Sequence, residues 1–164
     1  MQGKQNVIDG LNTLLAAELT SIDQYFLHSE MYHNWGYDKL YARIAHEHQD
    51  EIGHARRLIA RILFLNGTPN VAARTPLRIG ADVAAMLQND LETEYEVAAA
   101  LKSVIALAET EQDYVTREML TDLLDDTEVD HAHWLEQQLN LIKLIGLANY
   151  LQSQLGDGSP GSAN

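Results

Sequence analysis

Glu51-Ile52-Gly53-His54 and Glu128-Val129-Asp130-His131 are two copies of the pattern Glu-x-x-His. Both copies lie within stretches whose apolar residues recur at helical spacing. Residues three apart in a helix lie on one face, one turn above each other, so the glutamate and the histidine of each copy can reach the same metal ion. The two stretches therefore predict a helical protein with two matched sets of metal ligands.

Length and composition indicate one domain with a substantial core. The chain has 164 residues, of which 46% are hydrophobic, and we expect a single domain over 1–155 followed by a flexible tail over 156–164. The chain contains no cysteine, which excludes disulfides, iron–sulfur clusters and thiolate zinc sites and fits a reducing compartment. A net charge of −13 argues against binding of nucleic acid by general electrostatics and favours the attraction of cations.

The N-terminal residues do not have the pattern of a signal peptide. They carry one lysine, Lys4, and their apolar run is interrupted by Asp9, Asn12 and Glu18. No stretch of uncharged apolar residues reaches the length of a membrane span. We therefore expect a soluble cytoplasmic protein.

Four long helical patterns and one short one follow each other along the chain. The four long patterns run over about 6–34, 38–65, 81–109 and 113–145, and the short one covers 147–155. Asp38 is a candidate N-cap of the second helix, and Gly36, Gly67 and Gly146 are candidate breaks.

The connections predict how the helices are arranged. Short turns before the second and fourth helices indicate antiparallel hairpins, whereas the segment 68–80, with Pro69 and Pro76, reads as a long crossing loop. Such a loop lets the third helix run parallel to the second. We expect an all-α, up-down-down-up four-helix bundle with one crossover and a short fifth helix at the C-terminus.

Each long helix places one glutamate near the middle of its apolar face. An unpaired buried carboxylate costs several kcal/mol, and four of them also repel each other, so a counter-charge is required. Two Fe²⁺ ions would supply it. The predicted ligand set consists of Glu18, Glu51, His54, Glu94, Glu128 and His131.

The alternative for any one of these glutamates is a boundary position whose carboxylate reaches water. The joint pattern of four mid-helix acids and two histidines favours a metal site. Oxygen and imidazole ligands suit Fe(II), Mn(II) or zinc, and a dinuclear, carboxylate-rich site favours iron or manganese. A third copy of the spacing, Glu30-Met31-Tyr32-His33, lies at the end of the first helix, where no second ligand set faces it, and we expect it on the surface.

Several further motifs resemble one protein family over almost the whole chain, from Met1 to about Gln154. They are Glu18-Leu19, Asp23-Gln24-Tyr25-Phe26, Asn34-Trp35-Gly36, Arg61-Ile62-Leu63, His133-Trp134-Leu135-Glu136 and Asn149-Tyr150-Leu151-Gln152. In these motifs the sequence resembles the bacterioferritins, members of the ferritin-like superfamily. The resemblance implies a hollow shell of 24 subunits that stores ferric mineral and has a ferroxidase site in each subunit.

The resemblance also implies roles for individual residues. Glu18, Glu51 and His54 would bind one iron, Glu94, Glu128 and His131 the other, and Glu51 and Glu128 would bridge the two. Tyr25 matches a tyrosine beside the di-iron centre, although it can equally be a core residue. His46 and Asp50 match an iron site on the inner surface of the shell, or else belong to a solvated polar face.

One position departs from the family. Bacterioferritins bind haem b between two subunits through a methionine from each, and the corresponding residue here is Ile52. Isoleucine has no donor atom for iron, which argues against haem in a shell of this subunit alone. The family includes haem-deficient subunits, some of which assemble with haem-binding ones. The departure also weakens the expectation of haem-mediated iron release through a ferredoxin partner.

The sequence thus predicts iron storage with ferroxidase activity, with O₂ or peroxide as the oxidant. One alternative is another di-iron enzyme, either an oxygenase or a rubrerythrin-like peroxidase, although the latter normally carries a cysteine-ligated iron domain that this chain lacks. A second alternative is a helical binding module without catalytic activity.

Overall fold

A computed structural model describes residues 2–156, which form an all-α bundle without strands. Its helices are α1 (Gln5–Trp35), α2 (Asp38–Phe64), α3 (Val83–Thr110), α4 (Tyr114–Asp125), a π-helical segment (Asp126–Ala132), α5 (His133–Ile145) and α6 (Leu147–Ser153). The predicted four-helix bundle with a short extra helix is confirmed. Within the described part of the chain, no helix is long and apolar enough to cross a membrane. The predicted tail lies outside the described residues from 157 onwards.

Local sequence signals set most of the helix ends. Gly36, with a φ of 80°, ends α1 in the left-handed region that glycine adopts without strain. Asp82 caps α3 by accepting a hydrogen bond from the Ala85 N–H at 2.9 Å, and Asp113 caps α4 in the same way. Asp38 is the first residue of α2 rather than its cap, and its side chain makes no capping hydrogen bond.

The apolar core has two parts, one at each end of the bundle. The first joins Leu11 and Leu14 of α1 to Leu58 of α2 and Leu101 of α3, and the second includes Tyr25. Burial of a leucine or isoleucine side chain contributes roughly 1.5–3 kcal/mol, so both parts stabilise the bundle strongly. On α1, α2 and α3, a buried glutamate lies in the gap between the two parts: Glu18, Glu51 and Glu94.

The loop between α2 and α3 is held along α1 by polar side chains. The side chains that hold it belong to four α1 residues spaced by eight or four positions, which therefore lie on one face of the helix: Asn12, Thr20, Gln24 and His28. Asn12 Oδ1 accepts a hydrogen bond from the Asn70 N–H at 2.8 Å, and Thr20 Oγ1 accepts one from the Thr75 N–H at 2.8 Å. Gln24 Oε1 accepts from the Arg78 N–H at 3.0 Å, and His28 Nε2 accepts from the Gly80 N–H at 3.4 Å. This row of contacts fixes the crossover and thereby the position of α3 beside α1.

Candidate metal centre

Five of the six predicted ligands meet in the gap between the two apolar parts. α1 supplies one residue, α2 supplies two, α3 supplies one and the π segment supplies one. All five side chains are buried: Glu18, Glu51, His54, Glu94 and His131. The bundle therefore encloses three carboxylates and two imidazoles in its middle.

Glu51 lies between the two histidines. Its Oε2 is 3.1 Å from His54 Nδ1, and its Oε1 is 3.1 Å from His131 Nδ1. The two imidazole rings stack with their centroids 5.8 Å apart. Glu51 thus directs one oxygen to each histidine, which is the arrangement of a carboxylate that bridges two metal positions.

One further carboxylate stands on each side of Glu51. Glu18 Oε2 is 3.9 Å from His54 Nδ1, and Glu94 Oε2 is 3.6 Å from His131 Nδ1. The result is two groups, Glu18–Glu51–His54 and Glu51–Glu94–His131, in each of which one ligand atom per residue lies within 4.8 Å of the others. Because they share Glu51, the two groups could hold a pair of adjacent metal ions.

The buried polar atoms of the centre show that this ligand set fits a metal pair. Both carboxylate oxygens of Glu18, Oε2 of Glu94 and Nδ1 of His131 are buried without a hydrogen-bond partner. Groups of this kind are nearly always satisfied in proteins, and leaving them unpaired is costly. Oxygen and imidazole donors aimed at a common space suit iron or manganese ions.

Burial and neighbouring charges give the three carboxylates different pKa values. Burial raises the pKa of Glu18, and the nearby Glu51 and Glu94 raise it further. The pKa of Glu94 is also raised, mainly by burial, although His131 and the Tyr25 hydroxyl oppose the shift. Burial acts on Glu51 as well, but contacts with Glu18, His131 and His54 outweigh it and lower its pKa.

These carboxylates raise the pKa values of both histidines. Burial alone would lower the pKa of His54 and of His131, but the adjacent Glu51 raises that of His54. Contacts with Glu47, Glu51 and Glu94 raise that of His131 well above its usual range. Glu18, Glu94 and both histidines therefore hold their protons to higher pH than usual in the metal-free centre, and metal binding competes with those protons.

Tyr25 belongs to the centre. Its hydroxyl donates a hydrogen bond to Glu94 Oε1, and the side chain is fully buried. Burial and the charges of Glu94, Asp90 and Glu51 raise its pKa well above the usual value, so the hydroxyl keeps its proton. This contact agrees with the predicted tyrosine beside a di-iron site.

Glu128 does not join the other ligands, and its predicted core-facing position is wrong in this structure. Its side chain is 45% exposed, and its Oε1 lies 2.5 Å from Nζ of Lys102 on the surface. His131, from the same Glu-x-x-His copy, is buried in the centre. The two residues therefore point to different sides of their helix.

The π segment explains this separation. A π-helix closes its hydrogen bonds one residue later than an α-helix, so side chains three apart no longer stack one turn above each other. The buried residues from α4 through the π segment to α5 are Thr116, Leu120, Leu123, Thr127, His131, Ala132, Leu135 and Gln138. Thr127, rather than Glu128, thus faces the interior, and its hydroxyl donates to the Leu123 carbonyl at 2.9 Å.

Sequence reasoning did not include Glu47 among the functional residues. Glu47 is buried in α2, and its Oε2 lies 2.8 Å from His131 Nε2. The sequence signal is its place on the apolar stripe of α2, one turn before Glu51, where Glu47 and His48 compete for the inward position. The structure turns Glu47 inward and leaves His48 half-buried.

The remaining predicted residues lie at the surface. His46 and Asp50 form an exposed ion pair at 2.8 Å on α2. Asp50 also belongs to a possible cation group with Glu47, Asp130 and His131. Glu30 and His33 are exposed, which confirms that the third Glu-x-x-His copy is a surface feature.

A surface pocket of about 330 Å³ reaches the centre from the side of α2 and the π segment. Both histidines of the centre line it, together with the carboxylates of Asp50, Asp126 and Asp130. The pocket gives cations an acidic approach to the buried ligands.

Comparison with known proteins agrees with this fold. The ferritin-like domain family matches residues 8–145. A bacterial ferritin of Synechocystis sp. is 56% identical over 155 residues, covering 94% of this chain and 99% of the relative. A bacterial ferritin of Neisseria meningitidis serogroup B is 57% identical over 155 residues, covering 94% of this chain and 100% of the relative. A bacterioferritin of Brucella melitensis is 39% identical over 152 residues, covering 93% and 94%. The chain is a member of the ferritin-like family, of the bacterioferritin type.

Proposed function

We propose that the protein stores iron and acts as a ferroxidase, oxidising Fe(II) to Fe(III) at a di-iron centre inside each subunit. The observation that carries this proposal is the position of Glu51, with one carboxylate oxygen 3.1 Å from each of two buried histidines. Membership of the bacterioferritin type supports the same activity.

The residues of the centre have distinct roles in this proposal. His54 and His131 would bind through Nδ1 as neutral imidazoles, Glu51 would contribute to both metal positions, and Glu18 and Glu94 would complete the two sides. Fe(II) is the substrate: two Fe(II) ions would supply the two electrons that, with two protons, reduce one dioxygen to hydrogen peroxide or one hydrogen peroxide to two water molecules. The protein would hold the two ions close enough to share one oxidant, and its carboxylates would balance their charge.

We also propose that the subunits assemble into a 24-subunit shell in the cytoplasm, where the product accumulates as ferric mineral. The net charge of −13 favours the concentration of Fe(II) at the surface. Mixed assembly with a haem-binding subunit, and a ferredoxin partner for iron release, are further proposals that rest on the family resemblance.

Anaerobic Fe(II) titration, followed by addition of O₂ or of peroxide, tests the activity. We expect two Fe(II) per subunit to bind and to be oxidised rapidly, and the faster of the two oxidants is the working one. Glu51→Gln removes the bridging charge and should abolish this phase. Glu30→Gln is the matched control, because Glu30 has the same Glu-x-x-His spacing but is exposed. Equal loss in both variants, or loss in neither, would refute the site.

Particle size and activity together separate storage from its alternatives. Light scattering should give a mass near 24 times the 18.3 kDa of one chain. A small oligomer that oxidises Fe(II) would instead support another di-iron enzyme. A small oligomer that binds no metal pair would support a helical binding module.

A further inference from the structure

Glu47 is a buried carboxylate that the proposed ligand set does not use. It lies on α2, one turn before Glu51, and its side chain is 3% exposed. Neither of its oxygens has a hydrogen-bond partner, yet both lie at ion-pair distance from a nitrogen. Burying an ionised carboxylate destabilises the fold unless neighbouring groups compensate its charge.

One of those neighbours is a histidine of the metal centre. Glu47 Oε2 is 2.8 Å from His131 Nε2, while Nδ1 of the same ring is 3.1 Å from Glu51 and 3.6 Å from Glu94. An imidazole that binds metal through Nδ1 carries its hydrogen on Nε2. A carboxylate next to that nitrogen fixes the tautomer and the ring orientation and makes Nδ1 a stronger donor.

Arg43 holds Glu47 from the opposite side. Its Nε is 2.6 Å from Glu47 Oε1, and its Nη2 is 2.7 Å from Asp130 Oδ1 in the π segment. The guanidinium also lies 5.2 Å from the centre of the Trp134 ring. Three contacts therefore restrain Arg43, and Arg43 restrains the carboxylate that faces His131.

His54 has a weaker version of the same arrangement. Its Nδ1 faces Glu51 and its Nε2 lies 3.4 Å from Asp126 Oδ2, but the Asp126 side chain is 56% exposed. A long contact to a solvated carboxylate holds a ring less firmly than a short contact to a buried one. The two halves of the centre thus differ in the support behind their histidines.

We propose that Glu47 is a positioning residue for His131, held in place by Arg43, and that it raises the metal affinity of the Glu51–Glu94–His131 half of the centre. The inference rests on the proposed function, since it assumes that His131 binds metal. It predicts that the His131 half depends on its outer carboxylate much more than the His54 half does.

Anaerobic titration of the apo protein with Co(II), monitored by the visible absorption of the bound ion, measures the metal affinity of both halves of the centre without any oxidation. Glu47→Ala should weaken the His131 half by about 10- to 100-fold and leave the His54 half unchanged. Glu47→Gln should have a smaller effect, because its amide oxygen still places a partial negative charge beside Nε2. Asp126→Asn is the matched control at His54 and should change affinity less than Glu47→Ala. Anomalous scattering from Co(II)-soaked crystals identifies which half is lost.

Each outcome decides a different question. Two Co(II) bound equally tightly in Glu47→Ala and in the unmutated protein would overturn the inference while leaving the di-iron centre intact. Equal weakening of both halves would also overturn it, as would crystals in which Glu47 itself coordinates the metal. If the unmutated protein binds no metal pair, the proposed function fails instead. Thermal melts of Glu47→Ala, Glu47→Gln and Asp126→Asn show whether each variant is folded.

Discussion

At the scale of single residues, the centre combines carboxylates that are alike in sequence but opposite in acidity. Contacts with Glu18, His131 and His54 outweigh burial and lower the pKa of Glu51. Burial raises the pKa of Glu18 and of Glu94. The metal-free centre thus concentrates its negative charge on the one carboxylate that faces both histidines.

Glu94→Gln should abolish rapid Fe(II) oxidation without destabilising the apo protein. Because its pKa is raised in the folded state, Glu94 destabilises the fold when it is ionised. The free energy of unfolding therefore falls as the pH rises through the folded-state pKa. Glutamine keeps the neutral form at every pH, and the stability difference in favour of the variant should grow with pH. Stopped-flow absorbance and calorimetry at several pH values measure both effects. A clear fall in melting temperature at neutral pH would mean that Glu94 serves a structural partner instead.

Metal binding should release protons and tighten as the pH rises. Glu18, Glu94, His54 and His131 all have raised pKa values in the metal-free centre, so each holds a proton to higher pH than usual. A metal ion displaces these protons, and affinity must fall as the pH is lowered. Anaerobic Co(II) titration in weakly buffered indicator dye measures the release directly. Binding without proton release would contradict the assigned ligands.

Ile52→Met should create haem binding that the unmutated homo-oligomer lacks. Ile52 lies partly exposed on α2, at the position where the family resemblance implies a haem-ligating methionine, and it offers only hydrocarbon. Methionine is close to isoleucine in volume and adds a thioether sulfur. Absorbance in the Soret region of both proteins, expressed with excess haem, decides the matter. Stoichiometric haem in the unmutated protein would require another ligand, and a colourless variant would mean that the interface pocket has closed.

At the scale of elements, helical periodicity predicts the bundle but not the local register of its fourth helix. The apolar spacings and glycine breaks place all four long helices to within a few residues. The buried stripe of the fourth helix passes from Leu123 through Thr127 to His131, and Glu128 is one position away from it. The Glu-x-x-His spacing suggested a shared face because an α-helix was assumed, and a π segment changes that relation.

Because the π segment turns Glu128 away from the centre, Glu128→Gln and Glu94→Gln should differ in their effect on metal binding. Because Glu128 is half-exposed and paired with Lys102, Glu128→Gln should leave Co(II) stoichiometry unchanged and alter the free energy of unfolding by less than about 1 kcal/mol. Glu94→Gln, by contrast, should lose one half of the centre. Loss of a metal ion in Glu128→Gln would show that the segment changes register and turns Glu128 inward on binding.

The crossover shows another limit of sequence reasoning. Two prolines and the absence of a helical period predict a loop, but not where it packs. Its course is set by Asn12, Thr20, Gln24 and His28, whose polar side chains on α1 bind the loop backbone. These contacts link residues more than fifty positions apart, so no local pattern contains them.

At the scale of the whole molecule, the bundle places a polar centre between two apolar clusters. The clusters fix the four helices above and below the centre, so the ligands are held by rigid elements rather than by loops. This arrangement permits the unpaired atoms of Glu18, Glu94 and His131, which the packing on either side keeps from relaxing toward water. The bundle is therefore built to accept metal with little change in its shape.

The most direct test of this account is anomalous diffraction from crystals of the assembled protein soaked anaerobically in Fe(II). We expect two iron ions within each subunit, about 3.5–4 Å apart, one bound by His54 and the other by His131, with Glu51 between them. Iron found only at Glu30 and His33, or only between subunits, would contradict the central claim that each bundle holds its own di-iron centre.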